Sequence, residues 1–192
     1  MTRTPRLSFL GGAALELTLL AIAAAWGSFI GHPLAAQCRW NFGDIVLGLL
    51  AVGPAAALFA WCMRSAWPPL VRYRAFLQSL LHPLFAGWSR VQILVISILA
   101  GLCEEAFFRG ALQNSLHNLL GEGPALLVAS ALFGLAHRIT WFYALLASLF
   151  GLYFGLLYLL TSNVLTPAIT HALYDCLALT LLLRPRPGRP PP

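Results

Sequence analysis

Three charged side chains lie where an apolar membrane segment is expected. Glu104, Glu105 and Arg109 fall within residues 101–110, inside an otherwise apolar run at 91–112. A charged side chain near the centre of a bilayer costs about 3 kcal/mol even on lenient insertion scales. The cluster therefore predicts a functional site, although a buried structural ion cluster explains this stretch equally well when it is taken alone.

The helical spacing gives the two glutamates different surroundings. Glu105 and Arg109 are four residues apart, so they can form an ion pair on one helix. Glu104 is rotated by about 100° from Glu105 around the helix axis. We therefore expect Glu105 and Arg109 to support the site and Glu104 to be free for chemistry.

Two other apolar runs also carry ionisable groups. His137 ends residues 125–137, and His171 shares one helical face with Asp175 in residues 164–183. A lone histidine within a membrane is more often a packing residue or a helix–helix hydrogen-bonding residue. A helix rises by about 1.5 Å per residue, however, which puts Glu104 and His171 at similar depths. The three helices are thus predicted to present their polar groups to one pocket.

Such a pocket supports two kinds of hydrolysis. Glu104 and His137 could activate a water molecule by general base catalysis. Alternatively, a divalent metal ion such as zinc could lower the pKa of its bound water and polarise a carbonyl group. The candidate metal ligands are Glu104, His137, His171 and Asp175. The residues alone do not choose between these mechanisms, but the sequence lacks His-Glu-x-x-His, which argues against a zincin arrangement on one helix.

The elements that must position these groups are membrane helices. Of the 192 residues, 59% are hydrophobic and 9% are charged, and the mean hydropathy is +0.79. We predict an all-α polytopic membrane helix bundle that forms one domain over residues 1–183, with a catalytic core at about 91–183 and a disordered tail at 184–192. About six transmembrane helices are expected, together with one amphipathic interfacial helix at 67–88. The spans are placed at 8–30, 45–63, 91–112, 125–137, 141–160 and 164–183.

The basic residues predict an orientation for these spans. All twelve are arginine, and cytoplasmic loops are enriched in basic residues. A cytoplasmic N-terminus puts ten arginines inside and only Arg39 outside, so both termini are expected in the cytoplasm. The ten are Arg3, Arg6, Arg64, Arg72, Arg74, Arg90, Arg138, Arg184, Arg186 and Arg189. A nucleic-acid partner has little support, and the expected surroundings are a lipid bilayer.

Three motifs in this order resemble those of a known family. They are Glu104-Glu105-x-x-x-Arg109, Phe133-x-x-x-His137 and His171-x-x-x-Asp175. The pattern resembles the CAAX-protease and bacteriocin-processing family, also called Abi or type II CAAX prenyl endopeptidases, over about half of the chain, residues 92–183. Three motifs on successive membrane helices are far more specific than any one of them alone.

The resemblance implies an intramembrane protease with assigned roles. Glu104 would activate water with His137 as its partner, while His171 and Asp175 would stabilise an oxyanion or bind metal. Glu105, Arg109 and Phe133 would support the site. Many family members have Asn at the position of Asp175, and an ionised Asp cannot donate a hydrogen bond to an oxyanion. Orienting His171 or binding metal is therefore the more plausible role for Asp175.

The same resemblance implies a substrate class and a location. The substrate would be a membrane protein or peptide, cut near its C-terminus at a prenylated CAAX end or at a C-terminal sorting helix. The location would be a bacterial inner (cell) membrane. The oligomeric state is left open.

Other protein classes fit fewer of these residues. Asp175 lacks the second aspartate of an aspartyl protease, no Gly-x-Ser-Gly nucleophile is present, and Cys103 and Cys176 lie off the polar faces. The main alternatives are a non-catalytic membrane scaffold or immunity protein and a small proton-linked transporter. The first span also contains Glu16. A structural carboxyl group that faces the bundle interior and a functional residue are equally good interpretations of it.

Overall fold

The computed structural model describes residues 8–184, and every regular element in that range is helical. The elements are α1 (Phe9–Phe29), α2 (Leu34–Gln37), α3 (Phe42–Arg64), α4 (Pro68–Leu84), α5 (Arg90–Glu105), a π-helical segment (Ala106–Gln113), α6 (Asn114–Leu120), α7 (Glu122–Ala136), α8 (Trp141–Thr161) and α9 (Leu165–Leu182). The predicted all-α membrane bundle is confirmed. The predictions for Arg3, Arg6 and the tail from residue 185 onward lie outside the described residues.

Five helices are long and apolar enough to cross a membrane. They are α1, α3, the continuous run Arg90–Leu120, α8 and α9. The sixth expected span corresponds to α7, which has 15 residues. At about 1.5 Å per residue, α7 is about 22 Å long, shorter than a hydrocarbon core of about 30 Å. It packs along α8 and ends at His137, within the bundle.

The amphipathic segment forms the helix α4. Pro68 and Pro69 open this helix, where the missing backbone N–H groups leave no helical hydrogen bond unmade. Leu70 is buried, whereas Arg72 and Phe76 are exposed. One face of α4 therefore turns towards the bundle, as an amphipathic helix requires.

Close backbone contacts hold α9 between α5 and α3. A Cβ atom on Gly101 of α5 would lie 2.7 Å from the Ala168 carbonyl oxygen and 2.7 Å from the Ala172 nitrogen. On the other side, a Cβ atom on Gly48 of α3 would lie 2.8 Å from the Thr166 carbonyl oxygen. Small residues allow this close approach between membrane helices. The glycines therefore set how near α5 comes to α9.

Polar contacts join two interhelical connections at one end of the bundle. The Arg39 guanidinium donates to the carbonyl oxygens of Thr161 at 2.8 Å and Ser162 at 3.2 Å. The Asn163 side chain donates to Asp44 Oδ2 at 2.9 Å. The α1–α3 and α8–α9 connections therefore lie on the same side, as the predicted alternation of spans requires.

The outward faces of the long helices are apolar. Leu10 on α1, Leu50 on α3 and Leu160 on α8 are more than two thirds exposed. In water such surfaces would be costly, whereas in hydrocarbon they are favourable. The described chain is therefore suited to a bilayer.

Candidate active site

The two glutamates lie at a change of helix type. The helix α5 starts with a capping box, in which Ser89 Oγ accepts from the Gln92 backbone at 3.2 Å and the Ser89 N–H donates to Gln92 Oε1 at 2.8 Å. It ends at Glu105, where the eight-residue π-helical segment begins. Such segments are rare and often occur at functional sites. The apolar run at 91–112 predicts a regular spanning helix, and its residue pattern contains no sign of this change.

The expected ion pair of Glu105 and Arg109 is present and sealed from solvent. Arg109 Nε donates to Glu105 Oε2 at 2.7 Å, and both side chains are 0% exposed. The guanidinium carbon also lies 5.2 Å from the centroid of the Phe133 ring. An ion pair this well enclosed fixes both side chains, because a separated partner would leave an uncompensated buried charge.

Glu105 has a second contact, with His171, that the residue spacing does not predict. Its Oε1 lies 3.0 Å from His171 Nδ1, and His171 Nε2 lies 3.5 Å from Asp175 Oδ2. Carboxylate oxygens accept hydrogen bonds, so both ring nitrogens are placed to donate. The His171 ring stacks on Phe154, with centroids 4.7 Å apart. Its orientation is therefore fixed by two carboxylates and a ring.

Glu104 faces a different histidine. Its Oε2 lies 3.2 Å from His137 Nε2, which is an ion-pair distance, although the alignment is not that of a hydrogen bond. His137 Nδ1 lies 2.8 Å from the Phe133 carbonyl oxygen. A carbonyl oxygen can only accept, so Nδ1 carries a hydrogen and Nε2 is presented to Glu104. The backbone at the end of α7 thus sets the tautomer of neutral His137.

The Phe133 side chain connects the two sets of polar groups. Its ring centroid lies 4.5 Å from that of His137 and 5.8 Å from that of His171, in addition to the contact with Arg109. The structure therefore brings together every site residue that the sequence predicted. They form two sets around one aromatic ring: Glu104 with His137, and Arg109, Glu105, His171 and Asp175 in a chain.

A cavity of about 350 Å³ reaches the two histidines and Asp175, whereas Glu104, Glu105 and Arg109 do not line it. Phe133, His137, His171 and Asp175 are among its lining residues. The rest of its wall is mainly apolar and aromatic, with contributions from α3, α4, α5, α8 and α9. An apolar chamber with a few convergent polar groups is the usual form of a small-molecule or peptide site. The inner face of the amphipathic α4 forms one wall of it.

The expected metal ligands do not form a metal site. Among residues 8–184, no three His, Cys, Asp or Glu side chains are grouped so that they could hold an ion. Both nitrogens of His171 face carboxylates, and although His137 keeps Nε2 free, the one carboxylate at ion-pair distance from it among residues 8–184 is that of Glu104. Metal-bound imidazole needs a free nitrogen lone pair directed at the ion. The donor set as arranged therefore does not fit a divalent metal.

The fold and these contacts define a polytopic membrane protein with carboxylates and imidazoles gathered at an internal cavity. Residues 86–177, just under half of the chain, match the family model described as Type II CAAX prenyl endopeptidase Rce1-like. Over this segment the predicted recognition is confirmed. No curated protein and no solved structure matches the chain. Because the family is one of proteases, the match supports intramembrane protease activity in general terms.

Proposed function

We propose that this chain is a glutamate-type intramembrane endopeptidase in which Glu104 and His137 activate the attacking water. The observation that carries the proposal is the 3.2 Å contact between Glu104 Oε2 and His137 Nε2, with His137 lining the cavity. Side chains of Glu104 and His137 are 13% and 28% exposed, whereas Glu105 and Arg109 are sealed. The accessible pair is the one suited to meet water and substrate.

The reaction follows from the roles of these two groups. Glu104 takes a proton from water as the water oxygen forms a bond to the carbonyl carbon of the substrate. The same proton then passes to the peptide nitrogen as the carbon–nitrogen bond breaks, which releases a carboxylic acid and an amine. With Nδ1–H held by the Phe133 carbonyl oxygen, His137 presents the Nε2 lone pair to Glu104 and can share the proton that Glu104 takes from water.

His171 is suited to stabilise the oxyanion. Its Nε2 is 3.5 Å from Asp175, too long for a strong hydrogen bond, so this N–H can donate to a substrate oxygen that enters the cavity beside it without any movement of the ring. Glu105 holds the opposite nitrogen at 3.0 Å, and Arg109 balances the charge of Glu105. Asp175, whose Oδ2 is 3.5 Å from the same nitrogen, helps to hold the ring through its negative charge. We assign no step to a metal ion, because the donor set does not fit one.

For the substrate we propose a membrane-anchored protein cut near its C-terminus at a prenylated CAAX end. The family's description supports this class. The mainly apolar wall of the cavity also supports it, because such a wall can accommodate an apolar segment while the few polar groups contact the peptide bond. We further propose a bacterial cell membrane with both termini in the cytoplasm, on the arginine distribution.

A cleavage assay with matched carboxamide variants tests the assignment. The purified chain in proteoliposomes is given an internally quenched farnesylated peptide with a CAAX end, and a second peptide that carries an unmodified C-terminal apolar helix. Glu104→Gln should lower kcat by about 10²- to 10⁴-fold, the usual contribution of a general base. Glu122→Gln is the control, since Glu122 is exposed at the start of α7.

Each result decides a different part of the proposal. Cleavage of the farnesylated peptide alone supports the prenylated substrate, whereas cleavage of the apolar helix alone replaces it with a sorting-helix substrate. Undiminished cleavage by Glu104→Gln would refute the role of Glu104. Absence of cleavage by the unaltered chain, with proton flux across the vesicle membrane, would favour a transporter.

A further inference from the structure

Glu16 in α1 is an acidic residue with no obvious structural reason to be there. It lies in the middle of a 21-residue apolar helix, outside the segment that matches the family model. Only Ala23 and Gly27 of this helix are buried, so α1 is largely a lipid-facing element. A carboxyl group inside a membrane helix costs about 3 kcal/mol, and such residues usually mark a functional site.

The side chain of Glu16 faces the active site and not the lipid. The helix α1 packs against α5 and the π-helical segment, which carry Glu104, Glu105 and Arg109. A Cβ atom on Gly12 would lie 3.5 Å from the Ile96 side chain, and the Trp26 and Phe107 ring centroids are 5.7 Å apart, so α1 runs alongside the segment that carries Glu104. Glu16 lies between these two contacts, and its buried Oε2 is turned into the bundle.

Glu16 and Glu104 share an unusual property. Oε2 of each glutamate is buried and accepts no hydrogen bond among residues 8–184, although Glu104 Oε2 keeps its 3.2 Å ion-pair contact with His137 Nε2. No ion pair joins Glu16 to a basic residue in that range either. Buried polar atoms in proteins are nearly always paired. Two such acceptors, on helices that pack together, are what a bound water molecule with two hydrogens would satisfy.

We propose that Glu16 is a further catalytic residue, which accepts one O–H of the attacking water while Glu104 accepts the other. The inference rests on the proposed hydrolysis at Glu104. With both hydrogens held, the lone pairs of the water oxygen point towards the substrate carbonyl. This lowers the entropy cost of orienting the water for attack. The proton that is removed passes through Glu104 to the leaving nitrogen. The second hydrogen stays on the oxygen that becomes part of the new acid, and Glu16 neither gains nor loses a proton.

Substitution of Glu16 separates a catalytic role from a structural one. Glu16→Leu removes the acceptor, and we expect kcat per folded protein to fall by about 10- to 100-fold with little change in KM. Glu16→Gln keeps a carbonyl oxygen of similar position and should retain more activity than Glu16→Leu. Thermal stability should be equal or higher for Glu16→Leu, because removal of a buried unpaired carboxyl group relieves a cost.

The control is Thr18→Val on the same helix. Thr18 is exposed and its hydroxyl donates only to the Ala14 carbonyl oxygen within α1, so kcat should be unchanged. A normal kcat in Glu16→Leu would overturn the proposal. A lowered melting temperature in both Glu16 variants, with normal kcat per folded protein, would also overturn it and make Glu16 structural.

The two proposals fail in different ways. If Glu104→Gln remains fully active, the proposed function fails regardless of Glu16. If Glu104→Gln is inactive while Glu16→Leu keeps its kcat, only the role of Glu16 fails. A combined loss in both variants, with normal folding, supports the shared water.

Discussion

Replacing Gly101 with alanine should displace the active site without touching any of its polar groups. In the structure, a Cβ atom at this position would lie 2.7 Å from the Ala168 carbonyl oxygen and 2.8 Å from Ala172 Cβ, whereas ordinary contacts begin at 3.4 Å. The helix α9 must therefore move away from α5 by about 0.7 Å to restore an ordinary contact. Neither neighbour is the far end of a flexible side chain, so the backbone itself has to move.

That movement acts directly on the contact between Glu105 and His171. Their 3.0 Å separation would grow to about 3.7 Å, beyond hydrogen-bonding distance. Overpacking of this kind costs about 1–3 kcal/mol of stability. A misplacement of about 1 Å can lower a catalytic rate by up to 10²-fold, so we expect a loss of at least 10-fold in kcat for Gly101→Ala.

The assay compares this variant with Gly53→Ala. Gly53 lies in α3, and a Cβ atom there meets nothing within 4 Å. A helical Gly→Ala change without a clash stabilises by about 0.5–1 kcal/mol, so this control should be fully active. Thermal unfolding in detergent and kcat with the farnesylated peptide are measured for both. If Gly101→Ala is as active and as stable as Gly53→Ala, the close approach of α5 and α9 does not set the site geometry.

Two further predictions concern Asp175 and metal. Asp175→Asn should keep kcat within about 10-fold, because the amide oxygen can still face His171 and the NH₂ group can donate to an oxyanion. Asp175→Leu offers neither group and should lose more activity. Equal losses in the two variants would contradict the orienting role of Asp175. Chelators should leave the cleavage rate unchanged, and elemental analysis should find substoichiometric zinc, since residues 8–184 contain no group of three side chains that could hold the ion. A chelator-induced loss that zinc restores would contradict the glutamate-type mechanism.

Much of the fold follows from the sequence by simple physical rules. Long apolar runs predict spanning helices because backbone polar groups in lipid must be satisfied within the helix. Residues four apart share a face, which predicts the pair of Glu105 with Arg109 and places His171 beside Asp175. The similar depths estimated for Glu104 and His171 on α5 and α9 agree with the direct contact of Glu105 and His171.

Other features depend on packing that residue patterns do not contain. The contact of Glu105 with His171 requires the rotation of α9 about its axis, which the close approach at Gly101 helps to set. The π-helical segment departs from the regular helical period that was assumed, and no Pro or Gly pair marks it. The position of Glu16 depends on which face α1 turns to α5, and a helix that is apolar almost all round carries little information about that face.

The most direct test of the account is a double-mutant cycle on Glu104 and His137. Glu104→Gln and His137→Asn should each lower kcat by about 10²- to 10⁴-fold, and the double variant should be little worse than either, because the two side chains act as one unit on one water. That result, with thermal stability preserved, is what the 3.2 Å contact predicts. Losses that multiply in the double variant, or full activity in either single variant, would contradict it.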